Sequence, residues 1–243
     1  MSEPWYIESF REDYLKIYAH RTDEAARLEV EQIISLLNMK TGTNVLDLCC
    51  GNGRHSRALA QKGFKVTGLD LSEVLLQDAR EKSKDTDVTY IHGDVRHLPF
   101  TQSFDYVLNL FTSFGYFEEM EENKKVFDSI KQSLKPEGQY LIDFLNPEYV
   151  KANLVPESFR KVGDIQVTEN RRIEKQKVIK DITVQDGSNL RYYQEQVNLF
   201  HLDDMCDMLS SCHLEVTDIY GQLDREPYNE VHSPRMIIVG RSK

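Results

Sequence analysis

NVLDLCCGNGRH, from Asn44 to His55, carries the strongest structural signal in this chain of 243 residues. It begins with a short apolar run, which is typical of a strand buried on both faces. A glycine-rich turn follows, and the residues after the turn have the pattern of a helix. In parallel sheets, a glycine turn between a strand and a helix is a common place for a ligand. The acidic Asp47, just before the turn, therefore bears on which ligand binds there.

Strands and helices alternate on the C-terminal side of this stretch. Further strand-like runs cover residues 64–71, 88–94, 104–111, 139–146, 214–223 and 234–243. Helical patterns cover residues 54–63, 73–84, 121–135 and 202–212. This alternation with short loops implies a parallel sheet with helices on both faces. We therefore predict an α/β fold with a doubly wound, mostly parallel sheet of seven strands.

Residues 147–200 interrupt the alternation. They are polar and rich in β-forming residues, with a turn at residues 185–189, and they predict an antiparallel insert of about three strands. An independent domain of about fifty residues buries little core and is marginally stable. We therefore expect one domain over residues 1–243, in which the insert forms a flap over the acceptor side of the ligand cleft.

The composition argues against duplex nucleic acid as a partner. The chain has 30 Lys and Arg residues against 40 Asp and Glu residues, which gives a net charge of −10. Phosphate contacts supply most of the affinity of proteins for duplexes, so a basic face would be needed. Nucleic acid is therefore not expected as a partner.

The cysteines and the hydropathy indicate a cytoplasmic protein. Cys49, Cys50, Cys206 and Cys212 form neither a C-x-x-C pair nor a pattern of metal ligands. No apolar run reaches the roughly 18 residues of a membrane helix, and the N-terminus lacks an apolar signal core. We expect reduced thiols, no metal and no membrane partner. The sequence does not indicate an oligomeric state.

Two ligands compete for the glycine turn. NAD would place its pyrophosphate there, and GNGRHS supplies G-x-G-x-x-S, an imperfect match to the dinucleotide fingerprint. Asp70, at the end of the second strand, suits the ribose of either ligand. Asp47 favours a cation, because a carboxylate beside the turn repels a pyrophosphate. S-adenosylmethionine (SAM) has an adenosine without a phosphate, and it carries a sulfonium and an ammonium.

A third carboxylate supports SAM. Asp94 ends the third strand, where it could accept a hydrogen bond from the adenine amino group. Leu71 and Val95 would lie against the adenine ring. Carboxylates at three successive strand ends predict a pocket for a cation that carries an adenosine.

Four stretches resemble successive motifs of the class I, or Rossmann-like, SAM-dependent methyltransferases. They are VLDLCCGNGRHSRALAQKGFKVTGLDLS, GDVRHLPF, FDYVLNLFTSFGYF and LKPEGQYLIDFLN, and the resemblance covers residues 12–146. In that family an acid precedes glycines at alternate positions. Asp47, Gly51 and Gly53 match this pattern, while Cys49 stands where the first glycine usually is. The resemblance implies that these four residues contact SAM.

The resemblance also places residues near the transferred methyl group and over the cofactor. Asn109 and Leu110 follow the fourth strand, which usually ends near the methyl group. YLKIYAHRTDEAARLEV resembles the N-terminal lead-in of a bacterial small-molecule subgroup, in which this segment covers the cofactor. Residues 1–40 are therefore expected to form a helical cover, with Tyr18 and Arg21 at the cofactor and Tyr14 near the acceptor. The alternative is a surface helix whose tyrosines pack on the core.

Five more residues are candidate acceptor contacts. Phe111 and Tyr116 belong to an aromatic stretch that suits a mostly apolar pocket. Arg172 and Tyr193 lie in the insert, and Arg235 lies in the returning SPR stretch. The alternative for the aromatic stretch is core packing under a loop.

The sequence assigns no catalytic residue. Tyr14, Tyr116, His201 and His232 are all candidate bases, and no spaced pair favours one of them. We predict methyl transfer from SAM to a small-molecule acceptor. The alternatives are a methyltransferase for RNA or protein, a SAM-binding module without activity, and an NAD-dependent oxidoreductase. We also expect His92 to pack in the core and Arg54 to face solvent, the alternative being that Arg54 and His55 offset the carboxylate of SAM.

Overall fold

The computed structural model describes residues 4–243, so residues 1–3 of the predicted cover lie outside the described residues. The helices are α1 (Trp5–Glu8), α2 (Glu12–Ile17), α3 (Asp23–Leu37), α4 (Arg54–Gln61), α5 (Glu73–Lys82), α6 (Met120–Ser133), α7 (Pro147–Asn153) and α8 (Leu202–Ser211). The strands are β1 (Asn44–Leu48), β2 (Lys65–Asp70), β3 (Val88–His92), β4 (Phe104–Asn109), β5 (Leu134–Leu145), β6 (Glu157–Val162), β7 (Ile165–Glu174), β8 (Lys177–Asp186), β9 (Asn189–Asn198), β10 (Leu214–Tyr220) and β11 (Arg235–Ser242).

The main sheet has seven strands in the order β3-β2-β1-β4-β5-β11-β10. Strands β1 to β5 are parallel, and β11 runs antiparallel to both of its neighbours. The predicted fold class is confirmed. The strand order reverses between β1 and β4, and the crevice at such a switch point is where open α/β sheets bind their ligands.

Helices cover both faces of this sheet. On one face Phe127 of α6 and Met205 of α8 belong to a fully buried core. On the other face, Ile33 of α3 and Leu59 of α4 form a second core. Each inner strand contributes alternate side chains to the two cores, which explains why these strands are apolar throughout.

The edge of the sheet accounts for one wrong prediction. His92 was expected in the core, but it is exposed, and its ring Nε2 lies 2.9 Å from the backbone oxygen of Leu71. Strand β3 is the last strand on its side of the sheet. Its terminal residue therefore has no further strand to pack against.

The insert is an antiparallel sheet of four strands in the order β6-β7-β8-β9, preceded by the short helix α7. The predicted number of about three strands was too low. Strand β6, with the sequence ESFRKV, has few apolar residues and occupies an edge of this sheet. A polar edge strand produces only a weak sequence pattern.

The described part of the N-terminal segment comprises the three helices α1, α2 and α3. α3 begins at an N-cap, Thr22, whose hydroxyl accepts a hydrogen bond from the amide of Ala25 at 3.2 Å. The chain between α2 and α3 turns at residues 18–22. Because of this break, Tyr18 and Arg21 lie between the two helices and not in either of them.

The N-terminal segment is bound to the insert through a buried carboxylate. Asp13 of α2 accepts hydrogen bonds from Tyr193 at 2.7 Å and from Arg191 at 3.1 Å. Ser9 donates to the backbone oxygen of Gln194 at 2.7 Å. These bonds join the first elements of the chain to β9.

The inner face of the insert is apolar at both ends. At one end Val167 and Ile182 pack on Ile17 of α2. At the other end, Val178 and Val197 pack on the main core. The described helices include none long and apolar enough to cross a membrane.

Candidate active site

The carboxyl ends of the parallel strands open into a cavity of about 660 Å³. Three parts of the chain form its wall: the glycine turn with the strand ends, the N-terminal residues 5–23, and the inner face of the insert. Cavities of about 300–1,000 Å³ are typical of small-molecule sites. The cavity lies at the switch point of the sheet.

The glycine turn has three residues in the left-handed region, with φ values of 57° at Cys49, 55° at Gly51 and 73° at Gly53. A Cβ at Gly53 would lie 2.2 Å from the hydroxyl oxygen of Tyr90, so only glycine fits there. Cys49 adopts the same conformation at a cost of about 1–2 kcal/mol. The backbone of Cys49 therefore has a conformation that glycine favours, while its side chain lines the cavity.

Asp47, near the end of β1, and Asp70, at the end of β2, are both buried. Asp47 accepts a hydrogen bond from the hydroxyl of Ser56 at 2.6 Å. Asp70 accepts backbone hydrogen bonds from Gly51 at 2.7 Å and from Ser72 at 2.8 Å. Burial raises the pKa of both carboxyls, and that of Asp70 reaches about 6. Ser56, which stands where the dinucleotide fingerprint has its third glycine, therefore orients the Asp47 carboxylate.

Asp94 also lines the cavity, together with Leu71 and Val95. Two nitrogens of the Arg96 guanidinium bind its carboxylate at 2.6–3.1 Å. Burial alone would raise the pKa of Asp94, but the hydrogen bonds from Arg96 lower it below its ordinary value. Asp94 is thus a fixed, charged acceptor at the end of β3.

Tyr14, Tyr18 and Arg21, which the resemblance assigned to a cover over the cofactor, all line the cavity. Arg21 donates to the hydroxyl of Tyr14 at 3.0 Å, and its guanidinium stacks 4.2 Å above the ring of Tyr18. Within residues 4–243 no carboxylate forms a salt bridge with Arg21. A guanidinium among aromatic rings without a carboxylate partner suits an anionic group of a ligand.

Arg54 is buried, so the prediction that it faces solvent was wrong. It lies 3.1 Å from Glu29 of α3, and the His55 ring lies 2.7 Å from the same carboxylate oxygen. The guanidinium also stacks 4.3 Å from the ring of Phe111. Partners from distant parts of the chain make burial of this charge possible.

Phe111 and Thr112 are consecutive left-handed residues, with φ values of 57° and 59°. Such strain persists where the surroundings fix it, and it is concentrated at functional sites. Asp143 of β5 fixes both, since its side chain accepts from the Phe111 amide at 3.0 Å and its backbone oxygen accepts from the Thr112 amide at 2.8 Å. Arg235, which lines the cavity, donates to the same Asp143 side chain at 2.6 Å.

Aromatic rings form the wall between the glycine turn and the insert. The ring of Tyr116 lies 4.9 Å from that of Trp5 and 6.0 Å from that of Phe10. Tyr6 lies 5.5 Å from Phe117. All five rings line the cavity, whereas Phe114 of the same aromatic stretch is buried in the main core.

None of the candidate bases is placed to act as one at neutral pH. Burial raises the pKa of Tyr14 and raises that of Tyr116 well above its ordinary value, so both phenols stay protonated. His201 is the N-cap residue of α8, and neither it nor His232 lines the cavity. The two tyrosines can donate hydrogen bonds to a ligand.

Two expected cofactor residues lie beside the cavity and not in its wall. Gly53 is the N-cap residue of α4, behind the turn. Asn109 is fully buried and donates to the backbone oxygen of Ser113 at 3.1 Å. The next residue, Leu110, reaches the wall.

Arg172 and Tyr193 do not reach the cavity, contrary to expectation. Successive residues of a strand face opposite sides, so Arg172 points outward, where it bonds Glu174 at 2.7 Å, while Arg171 lines the cavity. Tyr193 has the inward parity but lies at the end of the sheet that binds Asp13. The sequence did not reveal the strand register, which determines which residues of the insert line the cavity.

Sequence reasoning also missed a charged row in the middle of the insert. Arg171, Lys180 and Glu195 are cross-strand partners on β7, β8 and β9, and all three line the cavity. The Tyr18 hydroxyl donates to one Glu195 oxygen at 2.7 Å, and the Lys180 ammonium lies 2.5 Å from the other. The alternation of inward and outward side chains in the insert could have identified this row only if the pairing of the strands had been known.

The affinity of the site for SAM or S-adenosylhomocysteine (SAH) is expected to fall as the pH drops through about 6. The ionised Asp70 can accept hydrogen bonds from both ribose hydroxyls, whereas the protonated form loses an acceptor, and its pKa is raised to about 6. Below that pKa, affinity should fall by up to roughly tenfold per pH unit. Calorimetric titration with SAH between pH 5 and pH 8 measures this dependence.

The control for this prediction is Asp70→Asn, which should bind more weakly and with little pH dependence. A wild-type affinity that is constant across the range would contradict the prediction. The raised pKa of Asp70 makes the stability of the free protein depend on pH in the opposite direction from the affinity for the ligand. Its contribution to stability is present below about pH 4 and is lost as the pH rises through about 6.

Comparison with known proteins identifies similar chains. Residues 45–138 match the family model described as "Methyltransferase domain". The chain is 32% identical over 203 residues to the cypemycin N-terminal methyltransferase of a Streptomyces species, covering 82% of each protein. It is 37% identical over 116 residues to the putative methyltransferase YqeM of Bacillus subtilis, and there it spans about half of either protein (47%).

A solved structure extends the similarity to the whole fold. An S-adenosylmethionine-dependent methyltransferase from Clostridium acetobutylicum superposes with a TM-score of 0.80, covering 97% of this chain and 98% of that one. The sequence identity is 18%, so this match concerns the fold alone.

Proposed function

Because this chain belongs to the class I SAM-dependent methyltransferases, we propose that it methylates a small-molecule acceptor held between the glycine turn and the insert. The observation that carries this proposal is the wall of the cavity, which the strand ends, the N-terminal residues 5–23 and the insert form together. N-terminal rings and the insert cover the strand ends, which leaves about 660 Å³ for the methyl donor and the acceptor together. A polymeric acceptor would need an open and, for RNA, basic face.

The residues around the cavity fit SAM. Asp70 would accept from the ribose hydroxyls, and Asp94 from the adenine amino group, with Leu71 and Val95 against the ring. Cys49 and Gly51 would lie along the methionine portion. Arg21, which has no carboxylate partner in residues 4–243, would bind the methionine carboxylate. SAM supplies an electrophilic methyl group on a sulfonium.

The protein itself would position the acceptor and exclude water from the site. Holding the acceptor in line with the methyl group removes much of the entropic barrier. The strained Phe111 and Thr112, fixed by Asp143, hold the loop that leads to Tyr116. We propose that residues 1–40 act as a cover and residues 147–200 as a flap, which together exclude water from the reacting groups.

The name of the Streptomyces relative refers to methylation of an N-terminus, which supports nitrogen as the acceptor atom. Four free cysteines support a cytoplasmic setting. The remaining alternatives are an RNA or protein acceptor, and SAM binding without turnover.

The test has two stages. Calorimetric titrations with SAM, SAH and NAD should show binding of the first two and no comparable binding of NAD. The protein should then release SAH from SAM when incubated with small-molecule amines, but not with RNA or unfolded protein. Tight NAD binding without SAM binding, or labelling of polymers alone, would contradict the proposal. Leu28→Ala, which changes an exposed side chain that does not line the cavity, is a suitable control.

A further inference from the structure

We propose that the acceptor binds as an uncharged aromatic molecule, so that the acceptor class is aromatic amines, which are neutral at physiological pH. This inference rests on the proposed function and deepens it by naming the class of acceptor. It is supported by the aromatic part of the cavity wall, by the ion pairs of the insert and by the protonation state of the wall tyrosines.

Five aromatic rings form one continuous part of the cavity wall, which consists of Trp5, Tyr6, Phe10, Tyr116 and Phe117. The rings of Phe10 and Tyr116 are nearly parallel, with an interplanar angle of 22°. Trp5 meets Tyr116 at 65°, with the centroids 4.9 Å apart, and lies 5.7 Å from Tyr6. Aromatic rings gain free energy from offset-stacked and edge-to-face contacts with one another. The ligand that fits this surface best is therefore itself a ring.

The loop that carries Tyr116 is fixed between the glycine turn and the insert. On the insert side, the Asn198 side chain donates hydrogen bonds at 2.8 Å to the backbone oxygens on either side of Tyr116. On the turn side, the Cys49 thiol lies 3.8 Å from the backbone oxygen of Ser113 in the same loop. An acceptor that lies between the methyl donor at the turn and the insert therefore meets the Tyr116 ring.

Each charged side chain that the insert supplies to the cavity wall has a partner of opposite charge. Lys180 is paired with Glu195 on the neighbouring strand at 2.5 Å. Arg171 is paired with the buried Glu169, which also binds Arg160 outside the wall. A charged acceptor has to disrupt one of these pairs or lie in the cavity without a partner, and both cost binding free energy. An uncharged acceptor avoids both costs.

Two further arginines of the wall lead to the same conclusion. Arg235 of β11 is paired with Asp143 at 2.6 Å. Arg21, which has no carboxylate partner in residues 4–243, is the residue proposed to bind the methionine carboxylate of SAM. An ammonium could stack on the Tyr116 ring, but a cation–π contact offsets less free energy than burying an unpaired ion costs.

The reaction balances with an aromatic amine and requires no base in the wall. Burial raises the pKa of Tyr14 and of Tyr116, so neither phenol takes a proton from the acceptor. The lone pair of an aromatic amine is free at neutral pH, whereas an ammonium first has to lose a proton. That lone pair forms the N–C bond while the S–C bond of SAM breaks and its electron pair remains on sulfur, giving SAH. The methylated nitrogen then releases one proton to water.

Three small aromatic probes test the inference. Para-toluidine and benzylamine are isomers, of which the first is uncharged and the second protonated at neutral pH, and benzoate is an anion of similar size. Each is titrated into protein saturated with SAH, and binding is followed by ligand-observed NMR. We expect para-toluidine to bind the wild type about 10- to 100-fold more tightly than either ion, the range for a charged group that lacks its partner.

Glu195→Gln tests whether the ion pairs exclude charged acceptors. It leaves Lys180 without its carboxylate, so the affinity for benzoate should rise by about tenfold while that for SAH stays unchanged. Glu174→Gln is the matched control, because Glu174 is paired with Arg172 and does not line the cavity. It should leave the affinity for benzoate as in the wild type.

Tyr116→Leu tests the aromatic surface and should weaken binding of para-toluidine by about 2- to 10-fold. Tyr192→Leu, which changes an exposed tyrosine that does not line the cavity, should have no such effect. Equal or tighter binding of either ion to the wild type, or no measurable binding of para-toluidine, would overturn the inference. An unchanged affinity of Glu195→Gln for benzoate, or of Tyr116→Leu for para-toluidine, would also overturn it. Failure to bind SAH, or methyl transfer to RNA alone, would instead refute the proposed function.

Discussion

Arg21→Ala should weaken binding of SAH by about 10- to 100-fold, corresponding to about 1.5–3 kcal/mol for a hydrogen bond to a charged group. The reason is that Arg21 stacks on Tyr18 without a carboxylate partner in residues 4–243, and a ligand carboxylate would supply one. 5′-Methylthioadenosine has the adenine and ribose but lacks the amino-acid portion. Its binding should therefore be unchanged. Calorimetry with the two ligands measures the difference.

Asp70→Ala gives the reciprocal pattern, because it should weaken both ligands through the ribose. Arg27→Ala serves as the control for loss of an arginine, since that side chain is 53% exposed and pairs only with the exposed Glu24 in the described structure. If Arg21→Ala weakens SAH and methylthioadenosine equally, Arg21 acts through the shape of the wall and does not bind the carboxylate.

Phe127→Ala should lower the free energy of unfolding by about 3–5 kcal/mol, the range for removing a buried aromatic side chain. Phe127 is fully buried in α6, and its ring stacks on that of Phe114 at a centroid distance of 4.5 Å. For a chain of this size the melting temperature should fall by about 6–20 °C. Differential scanning calorimetry on the free protein measures this shift.

Phe159→Ala is the matched control for that loss. It makes the same chemical change on β6, where the side chain is 60% exposed, and surface substitutions usually alter stability by about 0.5 kcal/mol or less. Similar melting temperatures for the two variants would show that the core on the α6 side contributes less than its burial indicates.

The predictable part of the fold is the part whose residues are buried on both faces. β1 and its neighbours are continuous apolar runs, so their number and their order along the chain could be predicted from the amino-acid pattern. β6 was missed because an edge strand needs no apolar face. His92 was misplaced for the same reason at the edge of the main sheet.

Some residues of the candidate site could be predicted from the sequence, and others could not. Asp47, Asp70 and Asp94 follow strands that the sequence located, so their convergence could be predicted. Arg54 could not, because its partner Glu29 lies 25 positions away on another helix. The choice between Arg171 and Arg172 depends on strand register, which a single sequence does not specify in a polar sheet.

The bond between Asp13 and the insert has a consequence for the order in which the protein is made. Asp13 and Arg191 are 178 positions apart. Synthesis at about 5–20 residues per second therefore separates their emergence from the ribosome by roughly 10–35 seconds. During that interval the aromatic N-terminal segment has no insert to bind. The parallel strands β1 to β5 can pair while the nascent chain is still growing, but the cavity wall is completed only after the insert has emerged.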